Sequence, residues 1–167
     1  RFNPNYDEEA MEAMESEVRR MSRLVEDLLL LAKADAGRMS LTKMPVELDT
    51  LLLEVYNQAR LLSNSSVDVR LGGIDQAQVL GDPDRLKQLL LNLVSNAVKY
   101  TPEGGMVTLI LSRDEHAAYV AIIDTGIGIP EADLPHIFDR FYRVDKARAR
   151  AMGGTGLGLS IAKWIAD

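Results

Sequence analysis

The sequence has 167 residues, contains no cysteine and only two histidines, and is poor in aromatic residues, at 5%. The absence of cysteine excludes disulfide bonds, thiolate catalysis and cysteine-based zinc sites. His116 and His136 are far apart, and we interpret each as a surface or packing residue. The net charge of −6 and the lack of aromatics interleaved with basic residues, beyond Phe141 and Tyr142, argue against nucleic-acid binding.

Long apolar runs are also absent. No stretch approaches the roughly 20 residues that a helix needs to span a bilayer, and the run 28–32 is far shorter. The sequence begins with Arg1 instead of methionine, so we expect that the chain is a fragment. A membrane anchor upstream of it is compatible with this expectation.

Residues 7–36 are predicted to form one long helix. Leu24 and Leu31 widen its apolar face to that of a helical bundle, and Gly37 is the expected C-cap. Because one helix cannot cover so wide a face, its partners must come from another chain or another segment. The apolar residues alternate at three- and four-residue spacing, as in a coiled coil: Met11, Met14, Val18, Met21, Val25, Leu28 and Ala32.

Residues 37–167 are predicted to form one globular domain. Asp49 is the expected N-cap of a helix that follows an extended segment at 38–48 and reaches about Leu62. Runs of strands with helices on one face predict an α+β fold, a two-layer α/β sandwich. Residues 131–153 read as loop with one short helix. The predicted strands cover residues 67–71, 78–80, 106–112 and 117–124.

A helix with two asparagines begins at Asp82, the expected N-cap, with Pro83 at its first position. Side-chain amides are poor acids and bases but adequate ligands for a hard cation. A satisfied polar seam on a core helix is the simpler alternative. The polar stripe comprises Arg85, Gln88, Asn92, Asn96 and Lys99, and the residues expected to be buried are Leu86, Leu89, Leu90, Leu93, Val94, Ala97 and Val98.

Two glycine-rich stretches follow. Asp124-Thr-Gly-Ile-Gly128 comes directly after an apolar strand, and Gly153-Gly-Thr-Gly-Leu-Gly158 runs into an amphipathic helix. Free backbone N–H groups at a helix N-terminus suit a phosphate. Neither stretch is a Walker A loop or a dinucleotide fingerprint, and either one alone is more often a turn than a ligand site.

The order of these pieces is specific. An asparagine-bearing helix, Asp-x-Gly-x-Gly, Phe138-Asp-Arg-Phe-Tyr-Arg143 and Gly-x-Gly-x-Gly together resemble the ATP-binding domain of bacterial sensor histidine kinases. This is a branch of the gyrase, chaperone, kinase and mismatch-repair (GHKL) ATPase superfamily, which has the Bergerat fold. The resemblance is close over residues 80–166 and looser over 8–79. It implies ATP and Mg²⁺ as ligands, and residues 1–36 as the second helix of a dimerisation hairpin.

The resemblance also assigns roles. Asp124 would accept a hydrogen bond from the adenine amine, with Gly126 and Gly128 giving the base room. Asn96 would ligate Mg²⁺, and Asn92 would support it from one turn earlier. The expected catalytic set is Asn92, Asn96, Lys99 and Arg143, and the residues expected to approach the phosphates or line the pocket are Lys99, Tyr100, Tyr142, Arg143, Thr155, Gly156, Leu157 and Gly158.

The segment 140–150 is basic in an acidic chain. Its functional interpretation is a lid that closes on the γ-phosphate, and a solvated basic loop is the alternative. The basic residues are Arg140, Arg143, Lys146, Arg148 and Arg150.

Hydrolases of the superfamily carry a glutamate four residues before the metal-binding asparagine, where this chain has Asn92. Because an amide cannot take a proton from water, we expect slow hydrolysis and phosphoryl transfer to a histidine. Neither His116 nor His136 lies on a bundle helix, so we expect that histidine upstream of Arg1. A GHKL-type hydrolase and a non-catalytic nucleotide-sensing or dimerisation module are the alternatives.

The resemblance implies further partners and a location. The phosphoryl group would pass to the receiver domain of a response regulator, and the parent protein would be a homodimer through its N-terminal helices. Its location would be cytoplasmic, as the cytoplasmic part of a membrane-anchored sensor. The family domain continues past the last helix with a strand pair, which we expect to be missing after Asp167.

Overall fold

The computed structural model describes residues 4–36, 41–144 and 154–167. Within these ranges the helices are α1 (Pro4–Asp35), α2 (Leu48–Ser63), α3 (Pro83–Tyr100) and α4 (Gly158–Ala166), with a 3-10 turn at Leu134–His136. The strands are β1 (Met44–Glu47), β2 (Asp68–Ile74), β3 (Gln78–Gly81), β4 (Met106–Arg113) and β5 (Ala118–Asp124). The predicted strands and the long N-terminal helix are confirmed, with small shifts at their ends. Among the described residues, no helix is both long and apolar enough to cross a membrane.

The main sheet has three strands in the order β2-β4-β5. β2 and β4 are parallel, and β4 and β5 form the predicted antiparallel hairpin. The register pairs Val107 with Asp124, so the last residue of β5 lies beside the beginning of β4. β1 and β3 form a separate antiparallel ribbon.

The predicted two-layer sandwich is confirmed by where the core lies. Val107, Leu109 and Leu111 alternate with less buried residues along β4, so that one face of the sheet is covered. They pack in one cluster with residues such as Leu52 of α2 and Val94 of α3. Burying each such side chain contributes about 1.5–3 kcal/mol, which makes this layer contact the main source of stability.

The predicted N-cap of α2 is wrong. The helix begins at Leu48, Glu47 occupies the N-cap position without a side-chain hydrogen bond, and Asp49 lies in the first turn. The backbone N–H of Leu48 donates to Ala77 O at 2.8 Å, and the Leu48 side chain is buried. Tertiary contacts therefore set the beginning of this helix, two residues before the position that the local capping preference indicated.

The end of α1 contacts the rest of the molecule through a second apolar cluster. Leu30 and Leu31 are buried against Leu157 and Ile161, with Trp164 and Ile165 half-buried around them. Earlier in α1, the predicted bundle face is largely open. Leu24 is half-buried, whereas five of its apolar residues are more than half exposed: Met11, Met14, Val18, Met21 and Val25. The expected C-cap at Gly37 lies outside the described residues.

Candidate functional site

Helix α3 is the element on which the site is built. Asp82 is its N-cap as predicted, because Oδ1 accepts from the backbone N–H of Arg85 at 3.2 Å and Oδ2 accepts from that of Thr42 at 3.0 Å. The apolar residues are less buried than predicted. Leu90, Val94 and Ala97 are buried, whereas Leu86, Leu89, Leu93 and Val98 are half-buried.

The polar stripe of α3 finds partners in its first half. Arg85 Nη1 donates to Gln88 Oε1 at 2.8 Å, one turn apart on the same helix. Asn92 Nδ2 donates to the backbone carbonyl of Gly158 at 3.0 Å, which ties α3 to the first residue of α4. Asn96 is half-buried one turn beyond Asn92. The stripe therefore reaches the start of α4 and continues toward the C-terminal end of α3.

Two cationic side chains, Lys99 and Arg143, lie near the C-terminal end of α3, where the charge of Arg143 acts on Lys99. Burial, and then the charge of Arg143, lower the pKa of Lys99 from its ordinary value. Within the part of the chain that the structure describes, Arg143 Nε and Nη2 are buried and have no hydrogen-bond partner. Buried guanidinium N–H groups without an acceptor are costly, so an anion that accepts from Nε and Nη2 and faces Lys99 would stabilise this arrangement.

The surroundings of Lys99 fit such an anion site. Its Nζ atom lies 5.2 Å from the centre of the Tyr100 ring, in cation–π contact. A Cβ on Gly154 would lie 2.5 Å from the same Nζ, so a side chain there would displace the ammonium group. Glycine at 154 therefore lets the glycine-rich loop approach Lys99.

The Asp-x-Gly-x-Gly loop lies against the C-terminal end of α3. Asp124 Oδ1 accepts from the backbone N–H of Gly126 at 2.8 Å, and the N–H of Ile127 donates to Tyr100 O at 3.2 Å. A Cβ on Gly126 would lie 2.6 Å from Asp124 Oδ1 and 2.7 Å from Tyr100 O, so only glycine fits. Gly128 has a φ of +69°, which also favours glycine. Asp124 is exposed, so its carboxylate is open to a ligand.

The segment 138–144 contacts the glycine-rich loop. The N–H of Phe141 donates to Gly156 O at 2.9 Å, and Gly156 has a φ of +75°. A Cβ on Gly156 would lie 2.9 Å from the backbone of Phe141. Thr155 Oγ1 accepts from the N–H of Leu157 at 3.3 Å, and the Leu157 side chain is fully buried. The loop thus presents backbone toward α3 while Leu157 anchors it in the core.

Several predicted residues are brought together, and others are engaged elsewhere. Hydrogen bonds join Asn92 to Gly158 and Tyr100 to the Asp124 loop, and the charge of Arg143 acts on Lys99. The hydroxyl of Tyr142 donates a hydrogen bond to Asp133 Oδ1, outside the predicted set, and this bond raises the pKa of Tyr142. Lys146, Arg148 and Arg150 lie outside the described residues.

Sequence reasoning missed three contributors. Gly154 gives Lys99 its space, Asp133 holds Tyr142, and Asp35 of α1 forms a two-pronged ion pair with Arg140 at 2.6 and 2.7 Å. Asp35 and Arg140 are 105 residues apart, so no local pattern could have paired them. Gly154 was visible within the glycine-rich stretch, but its relation to Lys99 depends on the fold.

Comparisons with known proteins agree with this geometry. The family model of histidine kinase-, DNA gyrase B- and HSP90-like ATPases matches residues 81–167, from the residue before Asp82 to the end of α4. The phosphate regulon sensor protein PhoR of Pseudomonas aeruginosa is 41% identical over 157 residues, which are 93% of this chain and 35% of PhoR. The chain thus spans about a third of that relative's length.

Two solved structures are similar. Full-length ShkA in complex with AMPPNP has a TM-score of 0.81 and 28% identity, covering 99% of this chain and 34% of ShkA. The catalytic domain of the histidine kinase ThkA has a TM-score of 0.63 and 30% identity, covering 76% of this chain and 80% of that domain. The chain therefore belongs to the family of histidine kinase-, DNA gyrase B- and HSP90-like ATPases, as an ATP-binding catalytic domain of the sensor histidine kinase branch.

Proposed function

We propose that this chain binds Mg·ATP along the C-terminal half of α3 and transfers the γ-phosphoryl group to a histidine outside the chain. The observation that carries the proposal is that two buried nitrogens of Arg143, Nε and Nη2, have no hydrogen-bond partner among the described residues, while the charge of Arg143 acts on Lys99. A triphosphate supplies the negative charge that this pair lacks. The full-length ShkA structure, similar over nearly the whole chain, contains the ATP analogue AMPPNP.

The proposed roles follow the geometry. Asp124, exposed at the end of β5, accepts a hydrogen bond from the adenine amine, and Gly126 and Gly128 leave room for the base. Asn96 ligates Mg²⁺ through its amide oxygen, a suitable ligand for a hard cation. Lys99 and Arg143 bind phosphate oxygens. The remaining proposed pocket residues are Asn92, Tyr100, Tyr142, Thr155, Gly156, Leu157 and Gly158.

Transfer is favoured over hydrolysis by the residue at position 92. An amide cannot serve as a general base, and the Asn92 nitrogen already donates to Gly158 O. Because phosphoryl transfer needs mainly positioning and charge stabilisation, the nucleophile can come from another segment. We propose that this nucleophile is the histidine of a bundle helix and that a response regulator then receives the phosphoryl group.

The open face of α1 supports the proposed assembly. Met11, Met14, Val18 and Met21 are each at least 60% exposed, which is unusual for one stripe of a stable helix in water. In the proposed function, α1 is the second helix of a dimerisation hairpin, and this face packs in a homodimeric bundle of the parent protein.

A calorimetric titration tests the site. The chain is titrated with AMPPNP and Mg²⁺ beside Asp124→Asn, which we expect to weaken binding about 10- to 100-fold, the loss of a hydrogen bond to a charged group. Asp114→Asn is the matched control, because Asp114 is an exposed carboxylate in the turn before β5 and accepts from the N–H groups of His116 and Ala117. Its affinity should equal that of the unmodified chain.

Adding ATP to the same protein and measuring the products distinguishes a kinase from a hydrolase and from a nucleotide-sensing module. Phosphohistidine on a separately made histidine-bearing bundle, with negligible free phosphate in its absence, supports a kinase. Rapid release of phosphate by the chain alone would favour a hydrolase. Binding without either product would favour a nucleotide-sensing module, and equal affinities for Asp124→Asn and the unmodified chain would contradict the adenine assignment.

A further inference from the structure

The side-chain amide of Asn92 links two elements of the nucleotide site. It projects from α3 and donates through Nδ2 to the carbonyl oxygen of Gly158, 66 residues later. A Cβ built on Gly158 would lie 3.6 Å from Asn92 Cγ, an ordinary packing distance, so the amide lies directly against the start of α4. This contact is tertiary, and it joins the polar stripe to the glycine-rich loop.

The acceptor determines how the amide is oriented. A backbone carbonyl oxygen can only accept hydrogen bonds, so the NH₂ group of Asn92 must face Gly158. An aspartate or glutamate at this position would place an acceptor-only carboxylate against another acceptor. The contact therefore requires a donor at position 92, which a general base at pH 7 does not provide.

The glycine-rich loop is held on both sides of Leu157. Before it, Gly156 O accepts from Phe141, and after it, Gly158 O accepts from Asn92. The other described hydrogen bonds of this segment are local: Leu157 N–H donates to Thr155 Oγ1, and Leu157 O accepts from Ser160 Oγ and Ile161 N–H within α4. Helices α3 and α4 also pack against each other, but among the described residues the bond from Asn92 is the one side-chain hydrogen bond that joins the start of α4 to α3.

We propose that Asn92 is a positioning residue that latches the start of α4 to α3 and so holds residues 154–158 where they bind phosphate. This inference rests on the proposed function and deepens it, because Asn92 acts through Gly158, whereas Asn96 holds the metal. It also explains in structural terms why transfer and hydrolysis exclude each other here. The latch needs a hydrogen-bond donor at the position where a hydrolase needs a carboxylate as general base.

The test compares Asn92→Asp and Asn92→Ala with Gln88→Glu. Gln88 lies on the same stripe, and its Oε1 accepts from Arg85, so a glutamate keeps that bond while making the same amide-to-acid change. Each protein is titrated with AMPPNP in Mg²⁺ and again in EDTA. An unpaired Gly158 carbonyl should lower affinity about tenfold in both conditions for both Asn92 variants. For both Asn92 variants, the ratio of the affinity in Mg²⁺ to the affinity in EDTA should equal that of the unmodified chain. For Gln88→Glu, both affinities should equal those of the unmodified chain.

If Asn92 instead ligated Mg²⁺ directly, the titrations would give the opposite pattern. A carboxylate is a stronger Mg²⁺ ligand than an amide, so Asn92→Asp would then bind as well as or better than the unmodified chain in Mg²⁺. Asn92→Ala would lose affinity in Mg²⁺ alone. Either result overturns the latch.

Hydrogen exchange without nucleotide tests the latch separately. Amides of residues 161–165, which begin with the bond from Ile161 N–H to Leu157 O, should exchange faster in both Asn92 variants than in the unmodified chain or Gln88→Glu, while those of residues 51–59 in α2 stay protected. The protected α2 amides show that the variants are folded. Unchanged exchange at 161–165 overturns the latch. If the unmodified chain fails to bind AMPPNP, the proposed function fails, and the exchange result still decides for or against the latch.

Discussion

At the scale of single residues, the protonation of Lys99 reports on the site. Burial and the neighbouring charge of Arg143 lower its pKa from the ordinary value of 10.5 in the chain without nucleotide. In the unfolded chain the amine binds its proton more tightly, so stability rises as the pH increases between the lowered pKa and 10.5. Phosphates beside the amine act in the opposite direction and raise its pKa.

Nucleotide binding should therefore take up protons in alkaline solution. We expect the affinity for AMPPNP to fall as the pH rises from neutral to about pH 10, because the charged amine binds the phosphates better. Calorimetry in two buffers with different ionisation enthalpies measures the protons taken up. Lys99→Met should abolish most of this uptake. Lys87→Met is the matched control on the same helix, since Lys87 pairs with Glu54 instead, at 2.7 Å. Equal proton uptake in all three proteins would contradict the assignment of Lys99.

At the scale of elements, α3 shows what the sequence could and could not reveal. Its N-cap, its proline and its polar stripe were all predicted, because each depends on nearby residues and helical spacing. The partners of these polar side chains were not predicted. Gly158 is distant in sequence, and Arg143 lies in a segment whose position depends on the contact between Phe141 and Gly156. Local chemistry indicates which groups need partners, and the fold determines which partners they find.

The same distinction explains the prediction that was wrong. Asp49 has the side chain of an N-cap, yet the buried Leu48 and its bond to Ala77 O begin α2 two residues earlier than that cap would. At Asp82 the local and tertiary preferences agree, since one carboxylate caps α3 and also binds the N–H of Thr42. We therefore expect Asp82 to contribute more to stability than an ordinary surface acid.

The expected cost of Asp82→Ala is about 1 kcal/mol in the free energy of unfolding, with a range of roughly 0.5–2. Urea unfolding near neutral pH measures it. Asp84→Ala is the control, because Asp84 lies in the first turn of the same helix and can act only through the helix dipole, with about 0.3–1 kcal/mol. A loss at Asp84 equal to that at Asp82 would contradict the capping role.

The contribution of Asp82 should also depend on pH. Burial tends to raise the pKa of this carboxyl, but the hydrogen bonds from Thr42, Arg85 and Asp84 outweigh it and hold the pKa below its ordinary 3.8. The stabilisation is therefore present above that ordinary value and is lost as the pH falls through the lowered pKa. The difference in unfolding free energy between Asp82→Ala and the unmodified chain should shrink in acid.

At the scale of the whole molecule, α1 contacts the nucleotide-binding part at two places. Leu30 and Leu31 pack on Leu157 and Ile161, directly beside the glycine-rich loop. Asp35 pairs with Arg140, three residues before Arg143. Both contacts reach the elements that we propose approach the phosphates, so the position of α1 and the geometry of the proposed site are physically connected.

A double-mutant cycle measures that connection. Asp35→Arg and Arg140→Asp should each destabilise the chain, and the double variant should restore the pair, which gives a favourable coupling energy. Because the pair is exposed, the coupling should be small, and added salt should reduce it. The cycle Glu15→Arg and Arg19→Glu is the control, because that pair joins adjacent turns within α1. In the control variants, the affinity for AMPPNP should not change.

Single charge reversals at Asp35 or Arg140 should alter the affinity for AMPPNP, since Arg140 fixes the segment that carries Arg143. A double variant no more stable than either single variant would show that the ion pair does not hold α1 against this segment.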